Sequence, residues 1–319
     1  MAGEFDLIAR HFKWPAPEGV LGVGDDCALL PVSPGHRLAV TTDLLIEGRH
    51  FLPDVDPEAL GHKALAVNIS DLAAMGARPL GCVLGISVPS ADHDWLEGFA
   101  RGFRALADAS GCPLVGGDTT RSMHGVAISV TAMGEVPLAT ALTRSGACGG
   151  DDIWVTGTLG APHVALELLQ GRLSAPAEVL DALRPALERP NPPVSFGTAL
   201  CGIAHSAIDI SDGLLQDLGH ILDSSACGAQ LQYDALPVHP RLGLFAPDIV
   251  QHAVLNGGDV YQLCFTAAPS ARDSLVALAR EHGVRVTRVG HIDQTRRLRV
   301  VGCPVPVGPD GMGGFDHFG

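Results

Sequence analysis

Five short acidic strings carry most of the chemistry available to this 319-residue chain: Gly24-Asp25-Asp26, Thr41-Thr42-Asp43, Asn68-Ile69-Ser70-Asp71, Gly116-Gly117-Asp118 and Asp209-Ile210-Ser211-Asp212-Gly213. Carboxylates accompanied by Thr and Ser hydroxyls are a hard-oxygen donor set of the kind Mg2+ requires. The glycines before Asp26 and Asp118 let backbone N–H groups approach an anion without a Cβ in the way. Each string alone also has an ordinary reading. Asp212 before a helix is an N-cap, Gly-Asp-Asp a plain turn, Thr-Thr-Asp the close of a strand, and Asp71 part of a solvated helix face. Together they describe a site in which divalent ions bridge carboxylates to phosphate oxygens, one way to neutralise charge in phosphoryl transfer.

The rest of the composition narrows the field. Net charge is −14 and the only lysines are Lys13 and Lys63, which argues against a nucleic-acid partner. No GxxxxGK[ST] string is present, so a lysine-bearing phosphate loop is excluded. No run of apolar residues is long enough to cross a bilayer, and Met1–Trp14, with Glu4, Asp6, Arg10 and Lys13, is not a signal peptide. The expected location is the cytoplasm. The cysteines at 27, 82, 112, 148, 201, 227, 264 and 303 form no CxxC and no zinc-site spacing, and their small or apolar neighbours suggest buried free thiols.

Strands and helices must position these strings. Strands are expected over 38–45, 80–88, 113–117 and 126–136, with a helix over 57–75 that puts Asn68 and Asp71 on one face. Ser90 is expected to cap a helix over 92–110. After a Gly-rich turn at 146–152 come a strand at 153–156, two or three helices between 161 and 205, and an extended connector at Arg189-Pro-Asn-Pro-Pro193. Further strands are expected at 207–210, 230–233, 261–266, 284–292 and 298–301, with helices over 213–225 and 270–282. This order fits an α+β protein of layered α/β type with two domains, 1–140 and 150–319, their boundary falling between about 136 and 150.

The strings also occur within longer ones. Gly3-Glu-Phe-Asp-Leu-Ile8, Gly22-Val-Gly-Asp-Asp-Cys-Ala28, Thr41-Thr-Asp43, His50-Phe51, Ala64-Leu-Ala-Val-Asn-Ile-Ser-Asp-Leu-Ala-Ala-Met-Gly-Ala77, Gly116-Gly-Asp-Thr-Thr-Arg121, Leu142-Thr-Arg-Ser-Gly146, Asp209-Ile-Ser-Asp-Gly-Leu214 and Gly314-Phe-Asp-His-Phe318 follow one another over essentially the whole chain. In this order they resemble the thiamine-monophosphate kinase family, of the aminoimidazole-ribonucleotide-synthetase-like superfamily. The resemblance implies ATP-dependent phosphorylation of thiamine monophosphate to thiamine diphosphate by direct in-line transfer, without a phosphoenzyme and with several Mg2+ ions. It implies Asp26, Thr41, Thr42, Asp43, Asp71, Asp118, Asp209 and Asp212 as metal ligands, with Asp43, Asp118 and Asp209 the catalytic core of that set. Gly117, Asp118, Arg144 and Ser211 correspond to ATP contacts, Arg144 suiting a phosphate as a charged fork. His50, Asp259 and Phe315 correspond to substrate contacts, with Phe315 lying against the thiazolium or pyrimidine ring. Without the resemblance, His50 reads as a surface histidine and Phe315 as C-terminal packing. A homodimer is also implied, in which the N-terminal metal- and ATP-binding domains pair their sheets into a shared β-barrel beside a C-terminal mixed sheet with helices.

One string departs from the family pattern Gly-Gly-Glu-Asp-Tyr-Glu-Leu. Here it is Gly257-Gly-Asp-Val-Tyr-Gln-Leu263, so Asp259 is one methylene shorter than the expected Glu, and Val260 and Gln262 remove two further acids. The expectation is that ATP and Mg2+ binding survive and that Asp259 still reaches the acceptor. Two rival readings remain beside the kinase. A related ATP-using synthetase would carry a reactive Cys-Lys near the N-terminus or a terminal cysteine, and neither is present. A member that binds nucleotide or thiamine phosphate without turnover has the altered 257–263 string as its support.

Overall fold

A computed structural model of the protein describes residues 4–24 and 27–305. The chain divides into two units, one of residues 1–72 and 77–139 and the other of 73–76 and 140–319. The first unit runs α1 (Glu4–Leu7), β1 (His36–Ile46), α2 (Pro57–Ala74), β2 (Arg78–Val88), α3 (His93–Ser110), β3 (Leu114–Arg121) and β4 (Ala127–Pro137). Its strands form one mixed sheet in the order β1-β4-β2-β3, with β2 and β3 parallel and the other pairs antiparallel. A parallel pair needs a crossover, and α3 supplies it.

Helix α2 is apolar around most of its circumference because it is enclosed on most sides: Leu60, Leu65, Ile69 and Leu72 are all 1% exposed or less. Its crossing with α3 is set by glycines. A Cβ on Gly102 would stand 1.8 Å from the Glu58 carbonyl oxygen, and one on Gly61 would stand 2.0 Å from that of Phe99. The cap of α3 is Asp92 rather than Ser90, its carboxylate accepting from the N–H groups of Asp94 and Trp95 at 3.1 Å each. A carboxylate one residue before the helix reaches these free donors, whereas Ser90 lies two residues further out.

The second unit contains β5 (Asp152–Thr156), α4 (Ala161–Leu169), α5 (Ala177–Glu188), α6 (Val194–Ala199), β6 (Ser206–Asp209), α7 (Leu214–Ser225), β7 (Gly228–Gln232), α8 (Pro247–Leu255), β8 (Leu263–Ala267), α9 (Arg272–Glu281), β9 (Val286–Asp293) and β10 (Leu298–Val301). The sheet order is β10-β7-β9-β5-β8-β6, antiparallel except for the β10–β7 pair. Strand alternation feeds two cores. Ile153, Val155, Ile208 and Cys264 pack with α4, α5, α7 and α8 on one face. Trp154, Ala207, Leu263, Phe265 and Ala267 pack with α6 and α9 on the other. A sheet covered on both faces explains why β5, β6 and β8 are buried at every position.

The protein is therefore an α+β chain with a mixed sheet in each unit. The sequence reading missed α8, which starts on Pro247 at its first turn, and extended the eighth strand back to Tyr261. No described helix is long and apolar enough to cross a membrane. All eight cysteines are free, but the expectation of burial fails for most of them: Cys82, Cys112 and Cys264 are buried, Cys201, Cys227 and Cys303 partly so, and Cys27 and Cys148 are exposed. Flanking residues do not report on burial where the cysteine lies in a loop, as Cys27 and Cys148 do.

Candidate active site

Thr41, Thr42 and Asp43 lie in the middle of β1, not at its end, because the ladder with β4 continues to Ile46. Alternation turns Thr41 and Asp43 to one face of the strand and Thr42 to the other. On the first face the Thr41 hydroxyl donates to the Asp71 carboxylate of α2. The Asp43 N–H donates to Asn68 Oδ1 at 3.1 Å, while Asn68 Nδ2 donates to the Ala64 carbonyl at 3.2 Å. Asn68 is fully buried, so this pair of bonds fixes its amide and pins β1 to α2. Asp71 is half-buried and bonded rather than part of a solvated face. The Thr42 hydroxyl is not brought to this group: it donates to the Val130 carbonyl at 3.1 Å and accepts from Thr131 at 3.0 Å.

Gly116, Gly117 and Asp118 belong to β3, which runs on to Arg121 in parallel register with Gly85–Val88. A Cβ on Gly117 would meet the Leu84 carbonyl oxygen at 2.0 Å, so this glycine is required by the neighbouring strand. Asp118 is exposed. The sheet row through Asp43 crosses Val130 and Leu84 to reach Gly117. Three strand spacings, roughly 14 Å, therefore separate the Asp43 and Asp118 edges. One copy of the first unit does not gather these two carboxylates. His50 sits in the turn after β1, its Nδ1 accepting from the Ile46 N–H at 2.9 Å, which leaves Nε2 as the protonated nitrogen of the neutral ring.

In the second unit, Asp209 ends β6 and is 5% exposed. Past it the chain stays paired: the Ile210 N–H donates to the Gln262 carbonyl at 2.7 Å, the Asp259 N–H to the Ser211 carbonyl at 2.7 Å, and the Tyr261 N–H to the Ile210 carbonyl at 2.8 Å. The 257–262 loop lies so close that a Cβ on Gly258 would meet the Ser211 carbonyl oxygen at 2.5 Å. Asp259 and Tyr261 adopt φ of 61° and 50°, unusual for side chains of their size, and the Tyr261 hydroxyl donates to Asp259 Oδ1 at 3.0 Å. Arg144 is exposed, and its carbonyl accepts from the Ser225 hydroxyl at 3.2 Å.

Asp212 is not the cap of α7. The N-cap is Gly213, with no side-chain cap bond; Asp217, in the first turn, folds back so that Oδ2 accepts from the N–H groups of Ser211, Asp212 and Gly213 at 3.0, 3.1 and 3.1 Å. Burial pushes the Asp217 carboxyl up and the Asp212 charge adds to this; the three N–H groups oppose it only in part, leaving it at about 7. The Asp212 carboxylate accepts from Gln216 Nε2 at 3.3 Å and stays half-exposed. The sequence did carry a sign of Asp217: a lone acid among Leu214, Leu215, Leu218 and Ile221, on the apolar stripe of its helix.

The departures at 257–263 are absorbed by the second unit. Val260 is buried in the larger core. Gln262 Oε1 accepts from the Thr156 hydroxyl at 2.8 Å and its Nε2 donates to the Asn191 carbonyl at 3.1 Å, a bond the family's Glu could not make when ionised. Asp26 and Phe315 lie outside the described residues.

Oxygen donors on each of two α+β units, Thr41 and Asp71 in the first and Asp209 and Asp212 in the second, fit a two-domain class, and likeness to known proteins agrees with it. Residues 24–136 match the AIR synthase related protein N-terminal domain, and residues 149–303 match the C-terminal domain of the same family. The thiamine-monophosphate kinase of Escherichia coli (strain K12) is 43% identical over 99% of this chain and 98% of its own. The crystal structure of thiamine-monophosphate kinase from Stenotrophomonas maltophilia K279a superposes with a TM-score of 0.84 at 45% identity, over 90% of this chain and 93% of that one. AaThiL complexed with AMPPCP and TMP gives 0.77 at 29% identity, over 91% and 90%. The chain belongs to the thiamine-monophosphate kinase family of AIR-synthase-related proteins.

Proposed function

We propose that this protein is a cytoplasmic kinase that moves the γ-phosphate of ATP onto thiamine monophosphate. The observation that carries this reading is the likeness to thiamine-monophosphate kinases over 99% of the chain; the relative that holds AMPPCP and TMP adds the substrate pair. In direct in-line transfer an oxygen of the acceptor's phosphate attacks the γ-phosphorus, the bond to the β-phosphate oxygen breaks, and ADP leaves with that oxygen's charge. No enzyme nucleophile is needed. The chain's contribution is alignment of two polyanions and compensation of their charge.

Magnesium suits the donors. Asp26, Thr41, Thr42, Asp43, Asp71, Asp118, Asp209 and Asp212 offer oxygen alone. Thr42 is the weakest member, its hydroxyl already bonded to Val130. When bound, the ions supply neutralisation of the polyphosphate. Gly117 gives backbone access, and Arg144 and Ser211 contact ATP; His50, Asp259 and Phe315 meet the acceptor. The Tyr261 hydroxyl donates to the Asp259 carboxylate, which orients the shorter side chain. Binding without turnover is the weaker reading, because Val260 and Gln262 have structural work in the second unit and no metal-ligand position is altered.

We also propose a homodimer in which the first units, residues 1–140, close a shared β-barrel. The outer face of β1 supports it: Leu38, Val40, Leu44 and Ile46 are 50%, 59%, 58% and 37% exposed on an edge strand. Such a face is a site for strand pairing. Sedimentation should show a dimer, and Leu44→Lys should weaken it; a wild-type monomer at micromolar concentration would be evidence against the barrel. For the activity, the purified chain with ATP, Mg2+ and thiamine monophosphate should yield thiamine diphosphate and ADP, and excess EDTA should stop it. No product, or full turnover in EDTA, refutes the reading.

A further inference from the structure

We propose that Cys148, Asp151 and His205 form a binding site for a borderline transition-metal dication such as Zn2+, separate from the magnesium ligands. One ligand atom from each of the three lies within 4.8 Å of the others. Sulfur, imidazole nitrogen and carboxylate oxygen are the donors that Zn2+ takes, whereas Mg2+ takes oxygen and retains water.

The fold prepares the group in two ways. First, Cys148 and Asp151 are the ends of a tight turn, Cys148-Gly149-Gly150-Asp151, closed by the Asp151 N–H donating to the Cys148 carbonyl at 3.0 Å. Gly150 supplies the positive φ, 96°, that this turn needs at its third position. The Asp151 carboxylate returns the bond, Oδ2 accepting from the Cys148 N–H at 2.8 Å. Second, His205 is held at the head of β6 by its N–H donating to the Thr266 carbonyl at 2.8 Å, and its Nδ1 faces the Asp151 carboxylate at 2.9 and 3.1 Å.

Burial and charge fit an ion that arrives from solvent. Asp151 is 3% exposed and forms the floor, while Cys148 and His205 are exposed and form the rim. The adjacent Asp152 is turned away by strand alternation and is taken by Arg272, at 2.6 and 2.8 Å, and by Arg288 at 3.3 Å. No cation among the described residues pairs with Asp151 in that way; its partner is an imidazole, which carries a charge only when protonated. A dication at this point would neutralise a buried carboxylate that has no permanent positive partner.

Binding is an exchange without redox change. The hydrated ion gives up water ligands; bonds form to Cys148 Sγ, an Asp151 oxygen and a His205 ring nitrogen, and water fills the fourth position. The thiol proton leaves to solvent as the thiolate forms, so about one proton is released per ion at neutral pH. The turn that would be clamped begins four residues after Arg144 and is tied to it through Ser225, whose hydroxyl accepts from the Gly146 and Ala147 N–H groups and donates to the Arg144 carbonyl.

The test uses the full-length protein with Co2+ as a spectroscopic probe, in excess Mg2+ so that hard-oxygen sites are filled. Co2+ should bind with a thiolate-to-cobalt charge-transfer band in the near ultraviolet, saturating at one ion per chain and lost on adding Zn2+. Cys148→Ser should abolish the band, His205→Ala should weaken binding by about tenfold or more, and Cys27→Ser, at the other exposed thiol, should leave it unchanged. No band, a band that survives Cys148→Ser, or affinity unaffected by His205→Ala overturns the proposal.

Discussion

Replacing Asp217 by Asn should remove a specific pH dependence from the stability of the second unit. The Asp217 carboxyl is 2% exposed and titrates at about 7 in the folded protein, against an ordinary 3.8. Because the folded-state value lies above the unfolded one, the protonated acid favours folding; its contribution is full below the unfolded value and is lost as pH rises through about 7. With these two values the contribution is about 2–3 kcal/mol at about pH 5 and close to zero at about pH 8. An Asn side chain stays neutral throughout, and its Oδ1 still accepts from Ser211, Asp212 and Gly213, so the variant lacks this term while keeping the loop. The remaining titrating groups are common to both proteins and cancel in the comparison. Trp154 lies in β5, whereas Trp14 and Trp95 belong to the first unit, so a Trp14→Phe, Trp95→Phe background makes fluorescence report on the second unit alone. Urea unfolding in EDTA at the two pH values should then show wild type losing about 2–3 kcal/mol relative to Asp217→Asn as pH rises. Parallel profiles, agreeing within about 0.5 kcal/mol, would mean that burial does not raise this carboxyl and that the loop is held by other means.

Asp43→Asn should lower turnover by orders of magnitude, since the proposed charged ligand becomes neutral, while its N–H bond to Asn68 and the circular dichroism spectrum persist; a near-normal rate removes Asp43 from the proposed metal site. Gln262→Glu, although it restores the family residue, should destabilise the second unit by about 1–3 kcal/mol because the donor to the Asn191 carbonyl is lost; unchanged urea unfolding of Trp154 would show that this bond contributes nothing. Gly102→Ala should lower the melting temperature of the first unit by several degrees, the added methyl having no room beside the Glu58 carbonyl; an unaltered melting curve would mean that the two helices separate at little cost.

The donors of the proposed site could be read along the chain because they fall in short consecutive strings. Thr41-Thr42-Asp43, Gly116-Gly117-Asp118 and Asp209-Ile210-Ser211-Asp212 each keep their chemistry within a few residues, and strand or helix periodicity then places them. The strands of both sheets and most of their helices followed from alternation and helical spacing for the same reason. What escaped depended on contacts that exist only in the folded chain. Asp217 acts by folding back on three N–H groups, so its role exists only once the helix has formed. Gln262 owes its amide to Thr156 and Asn191, more than seventy residues away. Cys148 and Asp151 gain a third donor in His205 only because the start of β6 comes to lie beside the turn ahead of β5. The amino-acid order by itself determined which groups were on offer and which face each would take. Tertiary structure decided which of them meet, because a contact across a sheet depends on strand order and register, and neither is written in any local pattern.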